Sequence, residues 1–192
     1  MRILRSKNYR RMRWKNGGGE TTEIIVAPEG AALDAFDWRV SMAHVASDGP
    51  FSLFPDIDRT LAVLDGNGIR LRVAGTGTFD LTPASEPLAF PADAAAGAEL
   101  IDGPIHDLNV MSRRGVVRHR LTCVDVDESH TLQATNGATL LLIPTGGMTI
   151  ATATSQASLD DGDSVLLMEK DGEAVLTPEA RLTLYKCAFW RI

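Results

Sequence analysis

The chain of 192 residues has little cysteine, because only Cys123 and Cys187 are present. Two distant cysteines without a CxxC pair do not make a disulfide framework, so we expect two buried, reduced thiols. The sequence also lacks an apolar run long enough to span a bilayer. Its basic N-terminus is not followed by the apolar segment of a secretory signal. We therefore expect a cytoplasmic protein that does not act at a membrane.

An overall excess of positive charge is missing too, since the formal net charge is -6. This balance argues against a general surface for nucleic acid or for anionic lipid. One local exception is the N-terminal segment, which we interpret as a solvated edge strand rather than as a rim that attracts anions. Its basic residues are Arg2, Arg5, Lys7, Arg10, Arg11, Arg13 and Lys15.

Familiar catalytic and metal-binding motifs are not found either. The four histidines, His44, His106, His119 and His130, form no H-x-H pair of the kind that places two imidazoles on one face of a strand to bind a metal. No G-x-S-x-G motif is present, and the glycines at 17–19 are not followed by the G-K-[ST] of a phosphate-binding loop. We therefore predict no metal, no cofactor and no assignable catalytic residue, and enzymatic activity is left open.

Sustained helical periodicity is also lacking, whereas short strand-like segments recur between glycine, proline, asparagine and aspartate turns. This pattern predicts an all-β sandwich or barrel. The predicted strands are 20–26, 37–46, 60–64, 69–73, 77–81, 88–90, 107–111, 116–126, 130–134, 138–143, 148–152, 164–168, 173–176 and 181–189.

The chain contains two similar halves. Residues 61–68 and 140–147 each form a strand-like run that enters a glycine turn, and another short strand-like run follows each. Residues 159–167 contain an L-x-x-G-D turn like that of cupin barrels. We predict a duplicated cupin-like double-stranded β-helix, with residues 1–126 as the N-terminal half and 127–192 as the C-terminal half.

Polar residues alternate with apolar ones in two of these strands. Residues 38–45 place Arg39 and Ser41 on one face, which either faces solvent or lines a wet cavity. The same spacing puts Asp107, Asn109 and Met111 on one face, where an acid, an amide and a thioether fit a mixed pocket wall.

Two further stretches carry groups suited to a ligand. Trp14, Lys15 and Asn16 precede three glycines, which suit a tight turn or a close approach of the backbone. Arg59 offers a forked donor that, with Arg39, would hold a carboxylate. Alternatively, it forms an ion pair with a neighbouring aspartate, Asp56 or Asp58.

The apolar residues Phe51, Leu53 and Phe54 lie close to Arg59 and are interpreted as core, with pocket wall as the alternative. Together, these residues predict a cavity with cations, amides and apolar walls, located in the N-terminal half. That chemistry suits a small anionic molecule with flat or apolar character.

Three motifs in order resemble the HutD/Ves family of bicupins, which is associated with histidine utilisation. They are WKNGGGETTEI at 14–24, WRVSMA at 38–43 running into DGPFSLFPDIDR at 48–59, and DLNVMSRR at 107–114. At one point the chain departs from the family, because Asp56 stands where the motif usually has glycine.

The resemblance implies a cytoplasmic bicupin without metal and without an established reaction. It also implies a modulator of histidine breakdown that binds a pathway metabolite such as urocanate or a formylated glutamate derivative. The ligand-binding residues that it implies are Trp14, Lys15, Asn16, Arg39, Ser41, Arg59, Asp107, Asn109 and Met111.

Two other functions remain open at this stage. One is a metal-independent isomerase or hydrolase that acts on a small carboxylate, with Asp107 or His44 as the general base. The other is an interaction scaffold, for which a homodimer and an interior filled with apolar side chains are expected.

Overall fold

The computed structural model describes residues 1–14 and 17–192. These residues form β-strands and two short 3-10 helices, Ser6–Asn8 and Glu169–Asp171. The strands are β1 (Arg2–Leu4), β2 (Arg10–Arg13), β3 (Gly19–Ala27), β4 (Trp38–Val45), β5 (Gly49–Pro50), β6 (Ile57–Asp65), β7 (Ile69–Val73), β8 (Gly77–Leu81), β9 (Leu88–Pro91), β10 (Ala96–Leu100), β11 (Ile105–Arg113), β12 (Val117–Val126), β13 (His130–Gln133), β14 (Thr139–Pro144), β15 (Met148–Thr152), β16 (Gln156–Leu159), β17 (Ser164–Met168), β18 (Glu173–Pro178) and β19 (Leu182–Arg191). None of the described residues belongs to a helix that is long and apolar enough to cross a membrane.

One compact unit comprises Tyr9–Val117 and contains two antiparallel sheets. The six-stranded sheet has the order β2-β3-β4-β11-β6-β9, and the four-stranded sheet has the order β5-β10-β7-β8. Strand β7 shows why a core forms between them, because Ile69, Leu71 and Val73 are buried while the alternating Arg70 and Arg72 are exposed. The apolar faces of both sheets contribute to one buried cluster.

The other unit consists of Met1–Asn8 together with Arg118–Ile192. Its sheets have the orders β1-β17-β14-β19-β12 and β13-β18-β15-β16. Buried leucine, isoleucine, valine and methionine side chains from these sheets form its own core. Residues Arg2–Leu4 belong to this unit because β1 pairs with β17, and most of β12 belongs to it because β12 is a strand of the same sheet. Both segments were counted with the N-terminal half in the prediction from the sequence.

The two units repeat one strand pattern. In the first, β6 leads through a glycine turn into the β7–β8 hairpin, and in the second, β14 leads through a glycine turn into the β15–β16 hairpin. The central strands β11 and β19 pair with β6 and β14 in the same way. The all-β class and the duplication predicted from the sequence are therefore confirmed.

Most of the predicted strands are present, and 69–73, 77–81, 148–152 and 164–168 have the predicted bounds. The edge-strand interpretation of the basic segment is confirmed at Arg10–Arg13, because β2 lies at one end of the six-stranded sheet. Strands β1, β5, β10 and β16 were not predicted. All four are short, and β1 and β5 pair with strands far away in the chain, so tertiary contacts decide them, whereas β16 is a four-residue hairpin partner of the neighbouring β15.

Candidate functional site

A cavity of about 570 Å³ lies within the unit Tyr9–Val117. Its floor is a face of the six-stranded sheet, on which β4 presents Arg39, Ser41, Ala43 and Val45. The sequence left two environments open for this face, solvent or a wet cavity. The structure decides for the cavity, and Arg39 and Ser41 are both buried there.

The floor has a regular cross-strand arrangement that follows from the register. Met111 of β11 lies opposite Arg39 on one side and Arg59 on the other. The next inward-facing residue, Asn109, lies opposite Ser41 and Leu61. Side chains directly opposite each other in antiparallel strands lie within contact distance, so the register places these polar groups side by side.

Arg39 is tied to a residue that the sequence analysis did not single out. Its Nε donates a hydrogen bond of 2.6 Å to Oε2 of Glu23 on β3, and its Nη1 donates one of 3.3 Å to Oγ of Ser41. Glu23 lies in a predicted strand without a motif of its own, so only the pairing of β3 with β4 reveals its role. The ion pair neutralises the charge of Arg39 where both side chains are largely buried.

Arg59 is 2% exposed, and three aromatic rings surround its guanidinium group. Its guanidinium carbon is 5.2 Å from the ring centre of Phe51, 5.4 Å from that of Phe54 and 5.7 Å from that of Phe90. Nη2 donates to the carbonyl oxygen of Ser52 at 3.2 Å. Within the described part of the chain, Nε has no hydrogen-bond partner. Burial lowers the pKa of Arg59 to about 10, which leaves it protonated at neutral pH.

The alternative prediction was an ion pair of Arg59 with Asp56 or Asp58, and for Asp58 it is wrong. Asp58 is exposed on β6, where it accepts a hydrogen bond of 2.8 Å from Arg114. Neighbouring residues of a strand point to opposite faces, so Arg59 is directed into the unit while Asp58 is directed outwards. The opposite charge that acts on Arg59 comes instead from Asp107.

Asp107 is 1% exposed and accepts a hydrogen bond of 2.6 Å from Nδ2 of Asn109. Burial raises the pKa of Asp107 to about 7, although the Arg59 charge, the Asn109 amide and the backbone of Ala43 each act to lower it. Oδ1 of Asn109 is buried and has no partner among the described residues. A buried unpaired acceptor is costly, so this atom marks a place suited to a donor from outside the chain.

Trp14 also lines the cavity, and its indole Nε1 donates a hydrogen bond of 2.8 Å to Oγ1 of Thr21. Glycine is required beside it, because a Cβ on Gly19 would lie 2.3 Å from the carbonyl oxygen of His44. The predicted site residues Lys15 and Asn16 lie outside the described residues.

The structure therefore brings together seven predicted residues around one cavity, namely Trp14, Arg39, Ser41, Arg59, Asp107, Asn109 and Met111. It also resolves the alternatives for the nearby apolar residues, because Phe51 and Phe54 line the cavity. Leu53 is 58% exposed, so the core interpretation is wrong for it. Phe90 was missed because its strand carries no polar signal and it meets Arg59 only through the pairing of β6 with β9.

His44 does not face this cavity. It lies on the face of β4 opposite Arg39 and Ser41, and its ring centre is 4.9 Å from that of His106. The suggestion that His44 is a general base in the pocket is therefore wrong, because the alternation of the strand turns it away. Among the described residues, no group of three or more histidine, cysteine, aspartate or glutamate side chains is placed to hold a metal ion.

Two antiparallel sheets in each of two repeated units, with a cavity inside one of them, define a duplicated cupin-like protein. The chain matches the HutD family over residues 6–184, and it belongs to that family. The family resemblance drawn from the three motifs is confirmed.

Named relatives agree with this assignment. Protein Ves of Citrobacter koseri is 31% identical over 169 residues, which cover 85% of this chain and 86% of that protein. An uncharacterised 21.2 kDa protein in the hutC 3′ region of Pseudomonas putida is 38% identical over 125 residues. That match spans 65% of each chain, so the alignment covers less than two thirds of the P. putida protein.

Solved structures extend the likeness to the whole chain. A conserved protein of unknown function from Pseudomonas aeruginosa PAO1 is 33% identical with a TM-score of 0.89, covering 98% of this chain and 97% of the other. HutD from Pseudomonas fluorescens SBW25 is 29% identical with a TM-score of 0.79, covering 100% and 98%. Oxalate decarboxylase from Lactobacillus farciminis has a TM-score of 0.71 at 8% identity, covering 99% and 88%, which is a likeness of fold alone.

Proposed function

We propose that the protein binds a small anionic metabolite in the cavity of the unit Tyr9–Val117 and thereby modulates histidine breakdown. The observation that carries this proposal is Arg59, a buried guanidinium beside the cavity with an unpartnered Nε. A buried cation that lacks full hydrogen bonding is costly unless a partner completes it, and a carboxylate is the complement of its fork.

The walls of the cavity support a ligand with flat or apolar character. Trp14, Phe51 and Phe54 line it, together with the small apolar residues Ala43 and Ala98. A volume of about 570 Å³ lies within the range of roughly 300 to 1,000 Å³ that is typical of small-molecule sites. Such a site gains affinity from apolar contact and orientation from a few polar groups.

The link to histidine breakdown rests on the relatives. The P. putida relative lies in the hutC 3′ region, and the P. fluorescens relative is HutD, whose structure was determined in a formate condition. Urocanate and formylglutamate are the pathway carboxylates that we propose as ligands. A cytoplasmic location is part of the same proposal.

Isothermal titration calorimetry with urocanate, formylglutamate and formate tests the proposal. We expect at least one of them to bind the parent protein, and we expect Arg59→Met to weaken that binding by about a hundredfold, because loss of a buried charged contact costs roughly 3 kcal/mol. Methionine keeps the apolar bulk against the phenylalanine rings while it removes the charge.

Arg70→Met is the matched control, because Arg70 lies in the same unit but is exposed and paired with Asp80. It should bind the ligand as the parent does. If none of the three carboxylates binds the folded parent protein, or if both variants lose affinity equally, the proposal is wrong.

A second candidate function is supported by Asp107. Burial raises the pKa of Asp107 to about 7, near the working pH of a general base. The protein would then be a metal-independent isomerase or hydrolase of a small carboxylate. Incubation of these metabolites with the protein, followed by mass spectrometry, would reveal a product, and Asp107→Asn should abolish it while ligand binding persists. The cavity argues against the scaffold alternative, which expects an interior filled with apolar side chains.

A further inference from the structure

The basic side chains around the cavity differ in how far their charge is already compensated. Among the residues that the structure describes, Arg13, Arg39 and Arg59 line the cavity and carry a positive charge. The side chain of Arg13 is 91% exposed, so water screens its charge strongly. Of these three described arginines, only Arg39 and Arg59 are buried.

Arg39 is committed to the protein itself. The 2.6 Å contact between its Nε and Glu23 joins two side chains that are only 5% and 13% exposed. Its Nη1 is directed to Ser41. Glu23 lies opposite Ser41 in the ladder of β3 with β4, although it is not itself among the residues that line the cavity. Removing a carboxylate from such a pair would leave a buried charge without compensation.

Among the described residues, Arg59 has no comparable partner of its own. Its guanidinium is held by three aromatic rings and a backbone carbonyl, none of which carries a negative charge. Asp107 is the acidic group that acts on it, and burial raises the pKa of that carboxyl to about 7, so a proton neutralises it readily. With Asp107 protonated, the buried residues that the structure describes around the cavity have a surplus of one positive charge.

We infer that the cavity selects ligands that carry one carboxylate and an otherwise uncharged body, so that of the two proposed ligands it favours urocanate and binds the dicarboxylate formylglutamate more weakly. The inference rests on the proposed function, because it names the class of ligand for the same site. One carboxylate of the ligand would pair with Arg59. A second would have to pair with Arg39, which already forms an ion pair with Glu23.

The rest of the buried wall fits an uncharged body. Ala43, Val45, Phe51 and Phe54 offer apolar contact, and Oδ1 of Asn109 is an acceptor suited to a neutral N–H or O–H donor. A second carboxylate, when ionised, has no N–H or O–H to donate to Oδ1 of Asn109. Beside Asn109 it would also approach Asp107.

N-formylglutamine and N-formylglutamate provide a matched pair of probes, because they differ only in a side-chain amide against a carboxylate. Calorimetric titration of the parent protein at about pH 6 should give an affinity for N-formylglutamine at least tenfold higher than for N-formylglutamate. Urocanate, a flat monocarboxylate, serves as a third probe in the same experiment.

Glu23→Gln provides an independent test, because it releases Arg39 from its counter-charge. In this variant the preference should shift by at least tenfold towards N-formylglutamate, relative to the parent. Glu99→Gln is the matched control, since Glu99 forms an exposed ion pair with Arg72 in the same unit. It should leave the ratio of the two affinities unchanged.

The outcomes separate this inference from the proposed function. Equal affinities, or tighter binding of N-formylglutamate to the parent, would overturn the charge selection while leaving the carboxylate site in place. If none of the three probes binds folded parent protein, both the selection and the proposed function are overturned. The parent comparison decides the matter even if Glu23→Gln fails to fold.

Discussion

Asp107 and Arg59 face the same cavity from neighbouring strands, and each changes the ionisation of the other. Burial disfavours both charged forms, so the pKa of the acid rises to about 7 and that of the guanidinium falls to about 10. Among the other charged groups that the structure describes there, Arg39 and Glu23 on the adjoining strands neutralise each other, while Arg13 and Asp48 also line the cavity but are exposed to water. Near neutral pH, the net charge of the site therefore changes when Asp107 takes up or releases a proton.

The affinity for a monocarboxylate should depend on pH through Asp107. Below its pKa of about 7 this acid is neutral, and above it the ionised form repels a bound anion. We expect urocanate affinity to fall about tenfold between about pH 6 and about pH 8, as for binding coupled to one proton. Calorimetry across this range measures it, and Asp107→Asn should flatten the profile. A parent profile that is already flat would contradict the role of Asp107.

Another residue shows how local geometry relates to the family motif. Asp56 stands where the motif usually has glycine, and its φ of 60° lies in the left-handed region that glycine favours. The turn before Arg59 therefore keeps the conformation that glycine would give. Aspartate tolerates this region better than most residues, which accounts for the substitution.

Strands β3 and β4 approach each other closely at Gly19, next to Trp14 of the cavity wall. Gly19 lies opposite Val45 in the ladder, and Trp14 packs beside it. The strand-like run after the three glycines was predicted from its β-branched residues, and β3 includes it. The reason for the glycine itself lies in the neighbouring strand and was not apparent from its own sequence.

Gly19→Ala should destabilise the protein and weaken ligand binding together. The added Cβ would lie 2.3 Å from the His44 carbonyl oxygen, a backbone atom, so β3 must shift against β4 and move Trp14. We expect a loss of about 2 kcal/mol in the free energy of unfolding, as for other overpacked sites. Urea denaturation followed by tryptophan fluorescence measures this loss.

Gly97→Ala serves as the control for this change, because the nearest atom to its added Cβ is 3.5 Å away, an ordinary contact. Its effect should stay within about 0.5 kcal/mol. If Gly19→Ala is equally mild, the close approach of β3 to β4 does not constrain this position.

At the scale of the whole molecule, the first residues of the chain complete the unit that contains its last residues. Strand β1 pairs with β17, and Nη1 of Arg5 donates a hydrogen bond of 2.6 Å to Asp163. The backbone N–H of Ser6 donates to the same carboxylate at 2.8 Å. One acid in the L-x-x-G-D turn thus fastens the N-terminal segment to this unit.

Asp163→Asn should lower the stability of this unit by about 2 kcal/mol, because an ion pair and a charge-assisted hydrogen bond are lost. The pKa of Asp163 is lowered in the folded protein, since these bonds outweigh burial, which acts to raise it. Its contribution is therefore present above the ordinary aspartate pKa of about 4 and is lost as the pH falls through the lowered value.

Thermal denaturation at about pH 7 and in acid measures this effect, and the gap between parent and variant should close in acid. Asp161→Asn, in the same turn but exposed, is the control and should change little. A gap that stays constant with pH would show that the Asp163 charge does not fasten the segment.

Alternation and turn residues were enough to predict the fold class, the duplication and most strands, because sheet faces are encoded with a period of two. They also predicted the inward-facing groups of β4 and β11. The partners of these groups were not predictable, since Glu23, Phe90 and Asp107 meet Arg39 and Arg59 only through strand register and side-chain packing.

Strands in two similar halves and membership of the HutD family could be predicted from the amino-acid sequence, because periodicity and ordered motifs are local properties. The neutralisation of Arg39 by Glu23, and the position of Arg59 among aromatic rings beside Asp107, became apparent only in the folded chain. Charge compensation depends on distance and burial, and both are set by strands that pair across many residues of chain.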